Sequence, residues 1–232
     1  PIPRPFSLSI PDEDIVDLRG RLERTRFPDQ APDAPWAYGT DVAYLKMLAE
    51  YWRTTFDWRA QEKALNAFPQ FKVDIDGIGL HFLRVEGKGP DPKPLLLMHG
   101  WPGSVFEFID ILPRLTDPEQ FGGDAEDAFT VIAPSLPGFG LSFEPNQERF
   151  GITRIVDCLA QLTVDVLGYE KFFAQGGDWG AFACSVLGIR HSDKVVAIHQ
   201  NLLGVLPNPV PVSNATPEER RYADEIATWL RD

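Results

Sequence analysis

The chain has 232 residues, 44% of them hydrophobic, which is enough for a large core in one or two domains. It carries 22 basic against 34 acidic residues, a net charge of −12. That balance argues against nucleic acid and anionic membrane surfaces as partners, because both require a basic patch, and it reads as a solubility feature.

The first segment, PIPRPFSLSIPDED, lacks the apolar core of a signal peptide. It does not begin with Met, so removal of an upstream segment is expected. Residues 12–24 carry Ile15, Leu18 and Leu22 at helical spacing, with Ser9, Pro11 and Asp12 as the start signal. TRFPDQAPDAPWAYG then reads as an ordered meander in which Phe27, Trp36 and Tyr38 find burial. Residues 41–54 predict a second helix with Val42, Leu45, Leu48, Ala49 and Trp52 on one face, and 58–66 a short third one.

From Phe71 the period changes to two. FKVDIDG and GLHFLRVEG alternate around a Gly-rich turn and predict a hairpin. PLLLMHG (94–100) and FTVIAPS (129–135) are continuous apolar runs, as expected of strands buried on both faces. Helices are predicted over 104–115, 153–167 and 179–190, and strands over FFAQ and 195–199. This alternation predicts a mostly parallel sheet with helices on both faces. Cys158 and Cys184 fall in the helical stretches, outside any Cys-x-x-Cys pattern, and read as buried thiols in a reducing compartment. No apolar run reaches the roughly 18 residues of a membrane span. TPEERRYADEIATWLRD, at the end, reads as a surface helix.

Ligands of such sheets bind beyond the C-terminal ends of the strands, and three loops leave those ends. HGWPGS, His99 to Ser104, fixes a tight backbone path that can aim an N–H into a cleft; it also reads as an ordinary turn with Ser104 capping the next helix. PSLPGFGLS, Pro134 to Ser142, is loop by its Pro and Gly content. Gly176-Gly177-Asp178-Trp179-Gly180 is the third. It resembles the Gly-x-Ser-x-Gly nucleophile elbow of α/β-hydrolases, with Asp178 in the nucleophile's place. The plainer reading is a helix N-cap, which does not demand glycine on both sides. A carboxylate on that elbow can attack carbon and form an alkyl–enzyme ester, kept ionised by the helix N-terminus. Water then attacks the ester carbonyl, and the oxyanion needs two donors. The backbone N–H of Trp179 is one, and that of Trp101 is placed to be the other. Both tryptophans also read as core aromatics or as walls of an apolar pocket.

HGWPGS, PSLPGFGLS and QGGDWG, in this order and spacing, resemble the microsomal and fungal type of epoxide hydrolase. LRGRLERTRFPD, YWRTTFDWRAQEKALNAFPQF and IDGIGLHFLRV resemble that family's N-terminal region, so the likeness runs from about Phe6 to Leu203. The resemblance implies the α/β-hydrolase fold, preceded by an N-terminal helical meander over 1–70, with a first part of the core over 71–210 and the start of a cap over 211–232. It implies Asp178 as nucleophile, Trp101 and Trp179 as backbone oxyanion donors, and His99, Gly100, Pro102, Gly103, Gly177 and Gly180 as support for the site loops. The substrate implied is a small apolar epoxide, the product a vicinal diol, with no cofactor and no metal.

The family's cap tyrosines, its general-base histidine and the acidic partner of that histidine all lie C-terminal to this region. None of His81, His99, His191 or His199 matches the base, and nothing places Tyr222 as proton donor. The expectation is therefore an incomplete view of a longer cytoplasmic, soluble hydrolase, lacking the C-terminal half and cap, with no membrane anchor visible. A second copy of the chain or a companion C-terminal chain is the expected protein partner, and the 232 residues alone are not expected to turn over. Haloalkane dehalogenases, which share an aspartate followed by tryptophan on the elbow, are one alternative. A truncated, non-catalytic α/β-hydrolase-like binding domain is the other.

Overall fold

In the computed structural model, which describes residues 1–32, 34–149, 151–202 and 214–229, strands form where the sequence has a period of two or is wholly apolar. Among the described residues these are β1 (Arg4–Phe6), β2 (Gln70–Ile75), β3 (Ile78–Val85), β4 (Lys93–Met98), β5 (Phe129–Pro134), β6 (Phe172–Gly176) and β7 (Val195–Gln200). Their order in the sheet is β1-β2-β3-β5-β4-β6-β7. The half from β5 to β7 is parallel, and β1, β2 and β3 extend it with antiparallel pairings. The hairpin between β2 and β3 turns at Asp76 and Gly77, with φ of 51° and 76°. Two left-handed residues give the turn a twist that matches the strands it joins. β1 is an addition to the sequence reading: three residues, two of them proline or arginine, carry no visible period.

Successive side chains of each strand point to opposite faces, and this alternation divides the core in two. Leu80, Phe82, Leu96, Met98 and Ile132 pack with Val156, Leu159, Ala183 and Leu187 on one face. Leu83, Leu95, Leu97, Val131 and Ala133 pack with Leu8, Leu65, Val105, Phe108 and Leu112 on the other. The first face is covered by α5 (Ile152–Gln161), which continues as a π-helical turn to Val166, and by α6 (Trp179–Arg190). Cys158 and Cys184 are buried there as free thiols, and burial pushes both up to about 12.

The second face is covered by α3 (Trp58–Asn66) and α4 (Leu112–Thr116). The single helix expected over 104–115 is instead a 3₁₀ turn, Val105–Phe108, followed by the short α4. Pro113, which has no N–H to donate, sits in the first turn of α4, where a proline is tolerated, and so marks a helix start.

The N-terminal segment is fastened to α3 by side chains that take the place of a β partner. Asn66 accepts from the Leu8 N–H and donates to the Leu8 carbonyl, both at 2.8 Å. Glu62 accepts from the Ile10 N–H at 2.6 Å, and Arg59 bridges Glu62 to Asp12. α1 (Asp12–Glu23) starts after Pro11 without a side-chain cap, so Ser9 and Asp12 do not cap it. It packs against α2 (Val42–Thr54), and neither helix has a buried residue among those described.

The meander is therefore less buried than its aromatics imply. Trp36 is 56% and Tyr38 76% exposed, and the Leu48 and Trp52 side chains of the expected buried face of α2 are exposed as well. These aromatics pack locally: Trp36 lies against Tyr44, and Lys46 stands over the Phe27 ring. At the far end β7 is an edge strand on which Val196 and Ile198 are exposed. α7 (Pro217–Trp229) follows, with Tyr222 half exposed. The boundary expected at 210–211 lies outside the described residues.

Candidate active site

β6 ends at Gly176 and α6 begins at Trp179, so the chain reverses direction within two residues. Asp178 stands at that reversal with φ 50° and ψ −121°. A non-glycine residue in this region costs about 1–3 kcal/mol and persists only where its surroundings fix it. Here the surroundings are bare backbone. A Cβ on Gly180 would overlap the Met98 carbonyl at the end of β4, and one on Gly176 would overlap Gly180 itself. A Cβ on Gly100 would stand 2.6 Å from that of Asp178. The glycines thus let β4, β6 and α6 meet at one point. Gly180→Ala is expected to destabilise the fold by about 1–3 kcal/mol through overpacking against backbone that cannot move aside, read as a lowered urea midpoint.

The loop after β4 completes the site. The Trp101 N–H donates to Asp178 Oδ1 at 2.8 Å. The Trp101 amide first, and the Trp179 amide second, hold the Asp178 carboxyl below the usual carboxylate range, partly offset by desolvation. The first turn of α6 adds the positive end of its dipole. Asp178 thereby presents an ionised carboxylate with two amides aimed at it. Those amides are the groups that would hold negative charge on an oxygen bonded to its carboxyl carbon. The two indoles are exposed at 67% for Trp101 and 44% for Trp179, so the carboxylate faces an open surface flanked by aromatic area.

His99 is buried beneath this loop. Its Nδ1 donates to the Gly100 carbonyl at 2.8 Å, which leaves Nε2 to accept the Leu136 N–H at 3.0 Å. Burial pushes its imidazole below the ordinary range, against the smaller opposite effects of the Gly100 carbonyl and Glu107, so it is neutral. It joins the HGWPGS loop to the PSLPGFGLS loop, with the Phe139 ring edge-on to it. Pro102 follows a cis peptide bond, Gly103 lies against Glu107, and Glu107 accepts from the Gly100 N–H at 3.4 Å. Gly177 borders Asn201, whose N–H donates to the Gly176 carbonyl.

The other histidines are placed elsewhere. His81 is fully buried on β3, and His191, at the C-terminal end of α6, bonds Asp157 at 2.9 Å. His199 is exposed on the edge strand β7, with its carbonyl facing the Cys184 thiol. Among the described residues no group of His, Cys, Asp and Glu has the makings of a metal site. Sequence reasoning did not single out Ser135, Glu107 or Asn201: each is an ordinary polar residue, and the partners of Ser135 and Asn201 are distant in the chain.

Residues 93–222 match the family described as alpha/beta hydrolase fold. The chain belongs to that family. Residues 3–108 match the family described as epoxide hydrolase N terminus. Epoxide hydrolase 1 of Oryctolagus cuniculus is 40% identical over 209 residues, covering 88% of this chain and 46% of the relative. The solved structure of Aspergillus niger epoxide hydrolase superimposes with a TM-score of 0.80 at 31% identity, covering 98% of this chain and 60% of that one. Juvenile hormone epoxide hydrolase from the silkworm Bombyx mori gives a TM-score of 0.76 at 31% identity, covering 86% and 53%. The α/β-hydrolase chain thus spans about half the length of the curated relatives it matches. No described helix of this hydrolase is long and apolar enough to cross a membrane.

Proposed function

We propose that this chain carries the nucleophile and both oxyanion donors of an epoxide hydrolase acting on a small apolar epoxide. A carboxylate oxygen of Asp178 attacks a ring carbon, the ring C–O bond breaks, and the alkoxide takes a proton from the cap tyrosines that the family resemblance implies beyond this chain's span, leaving a hydroxyalkyl ester on Asp178. Water then adds to the ester carbonyl. The tetrahedral oxyanion sits against the Trp101 and Trp179 amides and collapses to release a vicinal diol and regenerate the carboxylate. The observation that carries this reading is Asp178 on its strained elbow, with its Oδ1 at 2.8 Å from the Trp101 N–H.

In this reading His99, Gly100, Pro102, Gly103, Gly177 and Gly180 shape and hold the two donors. The general base and its acidic partner belong to the part of the relatives' length that this chain does not span. The comparisons favour neither the dehalogenase nor the binding-domain alternative. The change of period at Phe71 supports a division into a meander over 1–70 and a core from 71 onward. Two free buried cysteines support a cytoplasmic location.

The test is a single turnover in ¹⁸O water with the complete protein in excess over epoxide. The ester mechanism puts the label into the Asp178 carboxylate and leaves the first diol unlabelled. Label in the diol from the first turnover would mean that water attacks the epoxide directly, and the ester reading would be wrong.

A further inference from the structure

Two peptide units, one on each site loop, are clamped in series, and the series runs back to a buried histidine, His81, far from the elbow in sequence. Asn66 is fixed by the Leu8 backbone, so its Oδ1 accepts from Gln70 Nε2 at 2.7 Å. The Gln70 Oε1 that remains can only accept, which makes His81 Nε2 the donor at 3.0 Å. His81 Nδ1 therefore accepts, and the Ser135 hydroxyl donates to it at 2.9 Å.

The Ser135–Leu136 peptide is held at both ends. Its carbonyl accepts from the Ser142 hydroxyl at 2.7 Å, and its N–H donates to His99 Nε2 at 3.0 Å. The Ser142 hydroxyl in turn accepts from the His81 N–H at 2.9 Å, and the Ser135 N–H donates to the His81 carbonyl at 2.9 Å. His99 then donates to the Gly100 carbonyl. That carbonyl and the Trp101 N–H belong to one planar peptide unit, so holding the oxygen aims the N–H. A hydrogen bond to a peptide oxygen also polarises the N–H at the other end of the unit.

We propose that His81, acting through Ser135 and His99, is a positioning residue for the Trp101 oxyanion amide. This rests on the ester mechanism proposed above. His81 touches no reacting atom. It fixes the hydroxyl of Ser135, and Ser135 sets the peptide on which His99 depends. The charged group facing the ring is Lys72, its cross-strand partner on β2.

The experiment uses Ser135→Ala, which removes the hydrogen bond from the His81 ring to the loop and leaves the Ser142 hydroxyl in place. Ser135→Thr is the conservative partner, since a cavity of about 180 Å³ beside Ser135 has room for one methyl. In the complete protein, rapid-quench kinetics separate ester formation from ester hydrolysis. Ser135→Ala is expected to slow hydrolysis about tenfold and formation less than twofold, with Ser135→Thr returning to the wild-type ratio. His81→Phe, a ring of similar size, is expected to show the same selective loss. Equal slowing of both steps, or none, in a folded Ser135→Ala protein overturns the proposal.

Hydrogen exchange at the Trp101 amide decides the question without any turnover. Faster exchange in Ser135→Ala than in the wild type and Ser135→Thr upholds the positioning role, and equal rates overturn it. If the wild type forms no ester, the mechanism fails, while the exchange result still judges the positioning.

Discussion

Asp178→Ala in the complete protein is expected to reduce diol formation by at least about 10⁴-fold, the scale on which loss of a covalent nucleophile acts. The reason is chemical. The proposed path contains an ester to Asp178, and an alanine offers no oxygen to form it. Trp101 and Trp179 remain in place but have no oxyanion to receive. The fold is expected to survive, because alanine keeps the Cβ of Asp178 and removes a side chain that is not part of either apolar core. A thermal midpoint near that of the wild type, together with absent product, is the expected pair of readings. Diol release within tenfold of wild type would remove Asp178 from the mechanism. Asparagine is a poorer test than alanine, since an amide on this elbow can hydrolyse back to the acid.

The second large effect is on acid stability. Burial first, and the charge of Lys72 second, push the His81 imidazole down to about 3 in the folded protein. In the unfolded chain it titrates at about 6.5. Below 6.5 the unfolded state takes up a proton that the folded state refuses, so unfolding is favoured as the pH falls. The contribution is present in full above about 6.5 and is lost progressively down to about 3. At 1.36 kcal/mol per unit, the loss is about 2 kcal/mol at pH 5 and about 4 kcal/mol at pH 3.

Domains of this kind have only about 5–15 kcal/mol in total, so this one ring can bring the protein close to unfolding in mild acid. Urea titrations at pH 7, 6 and 5 check it. His81→Phe is less stable at pH 7 than the wild type but is expected to show a flatter dependence, with about 2 kcal/mol less loss between pH 7 and pH 5. Parallel curves for the two proteins would show that His81 is not the titrating group.

Much of the fold was legible because apolar periodicity is local. PLLLM and FTVIAP announce buried strands, and the hairpin around Asp76-Gly77 announces its own turn. Three features escaped for different physical reasons. β1 is held by pairing with β2, 64 or more residues later, and its own three residues carry no pattern. The helix expected over 104–115 is divided by Pro113. The meander aromatics were expected to be buried because they are large, yet Trp36 and Tyr38 are more than half exposed.

The elbow was legible because its glycines are demanded by backbone contact, which leaves a mark in sequence. The series from His81 to His99 was not. Hydrogen bonds between β3, the loop after β5 and the loop after β4 use common residue types, and only the sheet order brings them together.

That sheet order also governs how the protein must be made. β4 lies inside the sheet, yet one of its neighbours, β5, begins at Phe129 and the other, β6, ends at Gly176. A ribosome adds about 5–20 residues per second, so after Met98 emerges roughly 80 more residues and about 4–16 s pass before both sides are paired. In that interval the apolar run Pro94–Met98 has both edges open until β5 follows, and the edge that β6 will pair stays open to the end. The feature that makes the finished centre dry and rigid therefore makes the nascent chain adhesive. Lys93 and Asp91, at the head of β4, are the charges that stand guard over it until β6 arrives.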